Sequence, residues 1–240
     1  MRKFLLLFLL SFSLLEARVV FVHMPKCGGT TLHYLLKKNY PNSDIYPLPK
    51  LQNGLADWST TQADMDLAFQ IHPDIDHELV SGHFPIWFLK KKNPYYDSSY
   101  VFTILRDPIE RVLSHDRFQM RVDIQNNKSP SSKLDSIPKN FLCKMLCSDC
   151  TLQGEELLQD CIANLEKMDY VIFLDDFENG VRGMFQDLGL RPPKRIGPRN
   201  TSNSQELHDL QAITPEKLAK IKEDNALDIQ LYEYATKYFC

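Results

Sequence analysis

Short apolar runs alternate with amphipathic stretches along most of the chain. Runs rich in Val, Ile and Phe predict buried strands at 18–24, 77–84, 99–108 and 169–177. Apolar residues at helical spacing predict helices at 30–39, 109–122, 154–168, 178–190 and 214–239. Irregular segments are expected at 40–78 and 126–140. Strands that alternate with helices predict an α/β domain with a central, largely parallel sheet.

The N-terminal segment has the pattern of a targeting sequence. Arg2 and Lys3 precede an apolar run of 12 residues at 4–15, which is short for a membrane span. We therefore expect residues 1–17 to be a signal peptide or a short membrane anchor, with possible membrane attachment through 4–15. The remaining residues, 18–240, are enough for one well-buried domain.

Composition narrows the class of protein. Hydrophobic residues make up 43% of the chain and charged residues 25%, as in an ordinary globular protein. The formal net charge is −3, so the bulk positive charge that drives nucleic-acid binding is missing. We expect no nucleic-acid partner.

Four of the six cysteines form a cluster within 19 residues. They are Cys143, Cys147, Cys150 and Cys161. In an exported protein such a cluster predicts one or two local disulfides, with three connectivities if all four pair. A zinc site is the competing interpretation, although the spacing lacks two C-x2-C pairs. Cys27 and Cys240 are expected to stand apart from this cluster.

The stretch HMPKCGGTT at 23–31 joins the first predicted strand to the first helix. A glycine turn there exposes backbone N–H groups at the positive end of a helix, which is an anion site. Gly28 and Gly29 let a ligand approach the backbone, and Lys26 adds a charge. A metal-dependent nucleotide-hydrolysing loop has its lysine after the glycines, whereas here the lysine comes first. The loop therefore favours an anionic nucleotide held without a metal.

Two segments carry a resemblance to a known family. PKCGGTTL resembles the 5′-phosphosulfate loop of sulfotransferases that use 3′-phosphoadenosine 5′-phosphosulfate (PAPS), closest to the Golgi-type carbohydrate family that includes the heparan-sulfate enzymes. YVFTILRDPIERVLSHDRF resembles the signature whose arginine and serine hold the 3′-phosphate. The family's usual threonine is replaced by Cys27. The resemblance implies a P-loop-like three-layer fold, PAPS as the donor, and no metal. The implied cofactor-binding residues are Lys26, Cys27, Gly28, Gly29, Thr30, Thr31, Arg106 and Ser114.

The resemblance also implies the catalytic residues. SGHFP resembles the segment that carries the family's histidine base, which makes His83 the expected general base. Lys26 is expected to stabilise the charge on the departing nucleotide as well as to bind it. If His83 lies away from the loop, Glu78 or His77 is the next candidate. The expected reaction moves a sulfuryl group to a carbohydrate hydroxyl.

Two other functions stay open at this stage. A metabolite kinase with a P-loop-like fold would need magnesium ligands, and a non-catalytic exported binding protein would keep the fold without turnover.

The leader favours the secretory pathway, in the Golgi lumen or its membrane, or export if the protein is bacterial. The acidic stretch 57–78, which has no Lys or Arg, predicts that the acceptor is not a dense polyanion. The basic loop with Arg191, Lys194, Arg195 and Arg199 lines the 3′-phosphate or an anionic acceptor, or is merely solvated.

Overall fold

A five-stranded parallel sheet forms the centre of the molecule. The computed structural model describes residues 18–41, 45–46, 75, 77–197, 209, 211 and 213–239. The strands are β1 Val19–Val22, β2 Ile45–Tyr46, β3 Leu79–Gly82, β4 Tyr100–Leu105 and β5 Tyr170–Phe173. Their order is β2-β3-β1-β4-β5, and every pairing is parallel. The predicted α/β class with a central parallel sheet is confirmed.

The central strand β1 sets the level at which its neighbours end. Val22 lies opposite Gly82 on one side and Thr103 on the other. The Thr103 hydroxyl donates a hydrogen bond of 2.8 Å to the Val22 carbonyl. All residues of β1 and β3 are buried, so other elements cover both faces of the sheet. The residues that follow β1, β3 and β4 therefore meet at one edge.

Eight α-helices accompany the sheet in the part of the chain that the structure describes. They are α1 Gly29–Leu36, α2 Ile86–Lys92, α3 Pro108–Gln125, α4 Phe141–Leu146, α5 Gly154–Leu165, α6 Phe177–Asp187, α7 Pro215–Asp224 and α8 Ala226–Phe239. The predicted helix starts at Pro108 and Pro215 are confirmed. Asp107 caps α3 by accepting from the Glu110 N–H at 2.9 Å, and Thr214 caps α7 in the same way.

Three helical features departed from the sequence prediction. Helix α2 and the short α4 were not predicted, because each is only six or seven residues long and gives little periodic signal. The C-terminal helical stretch is divided at Asn225, whose side-chain amide donates to the Ile221 carbonyl at 2.8 Å. That local hydrogen bond lies at the C-cap of α7, where the first of the two helices ends.

The predicted disulfides are wrong for the described cysteines. Cys27, Cys143, Cys147, Cys150 and Cys161 are all free. Three members of the cluster pack in the hydrophobic core as small apolar groups, while Cys150 is exposed. The Cys161 thiol donates to the Cys143 carbonyl at 3.0 Å instead of bonding a sulfur. Burial raises the pKa of Cys147 to about 12, so it remains a thiol.

Several predictions fall on other segments. The leader at 1–17, most of the acidic stretch 57–78, Arg199 and Cys240 lie outside the described residues. Within the described part of the chain, none of the helices has the length and apolar content needed to cross a bilayer.

Candidate functional site

The loop between β1 and α1 has two residues in the left-handed backbone region. Lys26 has φ 70° and Gly28 has φ 82°. The first conformation is costly for a residue with a side chain, and the second is the one that glycine adopts readily. Together they turn the chain so that α1 begins at Gly29. The Thr31 N–H of its first turn donates to the Gly28 carbonyl at 3.1 Å, which leaves the N–H groups of Gly29 and Thr30 as candidates for binding an anion. The expected glycine turn between a buried strand and a helix is thus present at the end of β1.

Gly29 is required because the His23 ring packs against it. A Cβ atom at position 29 would lie 1.9 Å from His23 Nε2, far inside van der Waals contact. At Gly28 a Cβ would meet Leu174 Cδ1 at 2.7 Å, in addition to the strain of its positive φ. The two glycines therefore serve the protein's own packing as well as any approach of a ligand.

The other loop residues are divided between the core and the surface. The Cys27 side chain is fully buried, and its thiol donates to the Pro25 carbonyl at 3.7 Å. Burial raises its pKa to about 12. Thr31 is buried, while Thr30 is exposed. Of the loop's side chains, Lys26 and Thr30 are therefore the ones placed to meet a ligand, whereas Cys27 acts through the core.

Arg106 follows β4 and reaches across to the loop. Its Nη1 donates to the Lys26 carbonyl at 3.1 Å, and its Nη2 lies 3.4 Å from a Glu110 carboxylate oxygen. The Arg106 side chain is 19% exposed, so it contacts the loop while remaining partly open to solvent. The Arg106 side chain is thus in direct contact with the backbone of the loop at Lys26.

Positive charges gather around the Lys26 ammonium. Lys26 Nζ lies 4.2 Å from the centre of the Phe118 ring, and the Arg121 guanidinium lies 5.1 Å from the centre of the same ring. Burial, followed by the charges of Arg121 and Arg106, lowers the pKa of Lys26 to about 8. An anion bound here would relieve this repulsion, so the arrangement favours a negatively charged ligand.

One face of α3 supplies most of the remaining charged and aromatic groups. Arg111, His115, Phe118 and Arg121 recur at helical spacing along it, and Ser114 is half-buried beside them. Arg111 is fully buried, and its guanidinium nitrogens have no hydrogen-bond partner among the described residues. Burial lowers the pKa of Arg111, whereas the negative charge of Asp228 raises it. Asp228 is therefore close enough to stabilise the charge of Arg111.

His83 lies where sequence analysis expected a base, directly after β3. Its ring centre is 4.2 Å from that of His23. The charges of His83 and Lys26 both contribute to lowering the pKa of His115. Burial, then Arg111, Lys26 and His83, lowers the pKa of His115 to about 4. His83 is therefore linked to the loop through the His23 ring, which packs on Gly29.

The structure places Arg106 against the loop that holds Lys26, Gly28 and Gly29, and it places His83 beside the His23 ring that packs on Gly29. Sequence analysis assigned no role in the site to His23, His115, Arg111, Phe118 or Arg121. The helical spacing of Arg111, His115, Phe118 and Arg121 in the sequence could have indicated that they lie on one face of α3. No local signal marked His23, because its contact with His83 depends on strand register.

The described residues contain no group of three or more His, Cys, Asp or Glu side chains arranged to hold a metal ion. The histidines at this edge contact rings and hydroxyls instead. His33 Nδ1, for example, lies 2.7 Å from the Ser81 hydroxyl.

Comparison with known proteins identifies the family. The family model described as "Sulfotransferase family" matches residues 15–235, so the chain belongs to the sulfotransferase family. A search of curated proteins finds no match. A sulfotransferase from Alicyclobacillus acidocaldarius is similar at 16% identity and a TM-score of 0.41, over 86% of this chain and 94% of that chain. Mouse sulfotransferase SULT7A1 complexed with PAP is similar at 16% identity and a TM-score of 0.39, over 90% of this chain and 66% of that chain.

Proposed function

We propose that this sulfotransferase moves a sulfuryl group from PAPS to a hydroxyl of a carbohydrate. The observation that carries the proposal is the group of cations at the glycine loop, where Arg121 and Arg106 help to lower the pKa of Lys26 to about 8. Glu110 is the carboxylate in contact with Arg106 there. A donor with a phosphosulfate at one end and a 3′-phosphate at the other supplies the missing negative charge.

Each residue has a distinct task in the proposed reaction. The N–H groups at the start of α1 and the Lys26 ammonium bind the 5′-phosphosulfate, while Arg106 and Ser114 bind the 3′-phosphate. The bound donor supplies a sulfuryl group on a good leaving group. His83 takes the proton of the acceptor hydroxyl as the new S–O bond forms, and Lys26 stabilises the charge left on the phosphate as the old S–O bond breaks. The proton then passes from His83 to solvent.

Binding and turnover together test this function. Titration calorimetry with adenosine 3′,5′-bisphosphate, with and without magnesium, should show the same affinity in both conditions. Sulfate transfer from labelled PAPS to a panel of defined glycans should then show turnover. Magnesium-dependent binding would favour the metabolite kinase, and binding without turnover on any glycan would favour the non-catalytic binding protein.

Two variants test the catalytic roles. Lys26→Ala should lower kcat by roughly 100-fold or more, the scale of removing one preorganised group that stabilises developing charge. Lys222→Ala, an exposed lysine on α7, is its matched control. His83→Ala should lower kcat by about 10²- to 10⁴-fold with little change in bisphosphate affinity. His77→Ala is the control for the base, and a larger loss in that variant than in His83→Ala would transfer the role to His77.

The proposed location is the secretory pathway, in the Golgi lumen or its membrane, or outside the cytoplasm if the protein is bacterial. The targeting pattern of residues 1–17 supports this location. N-terminal sequencing of the protein purified from membrane and soluble fractions tests it. A processed N-terminus near residue 18 supports a signal peptide, and an intact one in the membrane fraction supports an anchor.

A further inference from the structure

A column of stacked rings runs from the core of the sheet to His83. Phe102 of β4 stacks on Phe21 of β1, with ring centres 4.9 Å apart and planes 3° apart. Phe21 stacks in turn on His23 at 5.0 Å and 13°. His23 then contacts His83, with centres 4.2 Å apart and planes tilted by 48°. Phe102 and Phe21 are only 0% and 1% exposed, so the column begins in the packed interior.

The sheet register explains why the column ends at His83. Val22 and Gly82 are partners at the ends of β1 and β3, so the residues that follow them, His23 and His83, lie side by side. The His23 N–H donates to the Gly82 carbonyl at 3.1 Å, which extends the pairing by one bond. Because Phe21 and His23 are two residues apart on an extended chain, their rings share one face and stack.

The loop between β1 and α1, which is the proposed binding site for the sulfuryl donor, packs on the other side of the His23 ring. A Cβ at Gly29 would lie within 2.0 Å of both Nε2 and Cδ2 of His23, so the ring packs directly on the glycine backbone where α1 begins. His23 is therefore in contact with the anion-binding loop and with His83 at once. It has little freedom to change rotamer, because Phe21, His83 and Gly29 surround it.

We propose that His23 is a positioning residue, which holds the His83 ring in register with the donor loop and does not itself exchange protons with the acceptor. This inference rests on the proposed function of His83 as the base. A buried neutral ring beside His83 suits the role, since a second charged imidazole would repel the one that forms there during turnover.

The charges around the two histidines agree with this division of roles. His33 from α1 and His83 from the end of β3 face His23, whereas His23 and His115 face His83. Burial, then His83 and His33, lowers the pKa of His23 well below the ordinary value. At neutral pH His23 is therefore uncharged, which fits a residue that positions His83.

A graded series of variants along the column separates positioning from simple stability. His23→Ala should lower kcat about 10- to 100-fold with unchanged affinity for adenosine 3′,5′-bisphosphate, the scale of a small misplacement of a reacting group. Phe21→Leu and Phe102→Leu should lower the stability measurably, yet lower kcat less than about 3-fold, because they lie further from His83. His23→Gln tests a hydrogen-bonding role, since it keeps polar atoms without a ring, and it should behave like His23→Ala. A kcat loss that follows the stability loss across the series, or full activity in His23→Gln, would overturn the proposal.

A second measurement does not depend on turnover. In ¹⁵N-histidine NMR of the wild-type protein, His23 should stay neutral through the pH range in which His83 titrates. In His23→Ala the His83 tautomer ratio and titration midpoint should change, and in His83→Ala the pKa of His23 should rise. Unchanged His83 signals in His23→Ala would refute the positioning role even if sulfate transfer is confirmed. If the His83 signals change in His23→Ala but the protein transfers no sulfate, the contact between His23 and His83 is confirmed and the proposed function is refuted.

Discussion

The contact between Gly29 and His23 makes a quantitative prediction for Gly29→Ala. Elsewhere in a helix this change gains about 0.5–1 kcal/mol, because alanine loses less backbone entropy on folding. Here the added Cβ lies 1.9 Å from His23 Nε2, and ordinary contact begins at 3.4 Å, so the ring or the helix must move by the difference of 1.5 Å. Phe21 and His83 block the ring's retreat. We therefore expect a loss of about 1–3 kcal/mol, as for other overpacked cores.

Urea denaturation of four proteins measures this loss as a double-mutant cycle. They are the wild type, Gly29→Ala, His23→Ala and the double variant. Removing the ring makes room for the new methyl group, so the two changes should couple by about 1–3 kcal/mol, with the double variant more stable than the sum predicts. Gly197→Ala is the control, because a Cβ there meets nothing within 4 Å. Equal midpoints for Gly29→Ala and the wild type, or purely additive losses, would show that the ring does not occupy this position.

Three further predictions concern the ligands and the sheet. A bound anion favours the protonated form of Lys26, whose pKa without ligand is about 8. The affinity for adenosine 3′,5′-bisphosphate should therefore be full below pH 8 and fall as the pH rises above it. Calorimetry from pH 7 to 10 should show a weaker dependence of affinity on pH for Lys26→Arg than for the wild type. Arg106→Lys should reduce the preference for PAPS over its analogue without the 3′-phosphate, whereas an unchanged preference would remove Arg106 from that role. Thr103→Val should destabilise the protein by about 0.5–1.5 kcal/mol in urea denaturation, since it removes the buried hydrogen bond of 2.8 Å to the Val22 carbonyl; an unchanged stability would show that this bond contributes nothing.

The sequence by itself determined the features that depend on neighbouring residues. The periodicity of the apolar positions predicted four of the five strands and the helix starts at Pro108 and Pro215, because side-chain alternation and capping act within a few residues. The glycine loop and Arg106 were recognisable for the same reason, since each motif is a continuous segment. The short β2, α2 and α4 offered too few residues for a periodic signal.

Only the tertiary structure decided which distant residues meet. The contact between His23 and His83 arises from the register of β1 and β3, which the sheet fixes across a separation of about 60 residues. The need for glycine at position 29 comes from that same ring and not from the backbone angle, so the motif alone did not reveal it. Burial decided the state of three cysteines of the cluster, Cys143, Cys147 and Cys161, whose thiols pack in the core without pairing. Spacing along the chain constrains such contacts weakly, because packing selects partners by position in space.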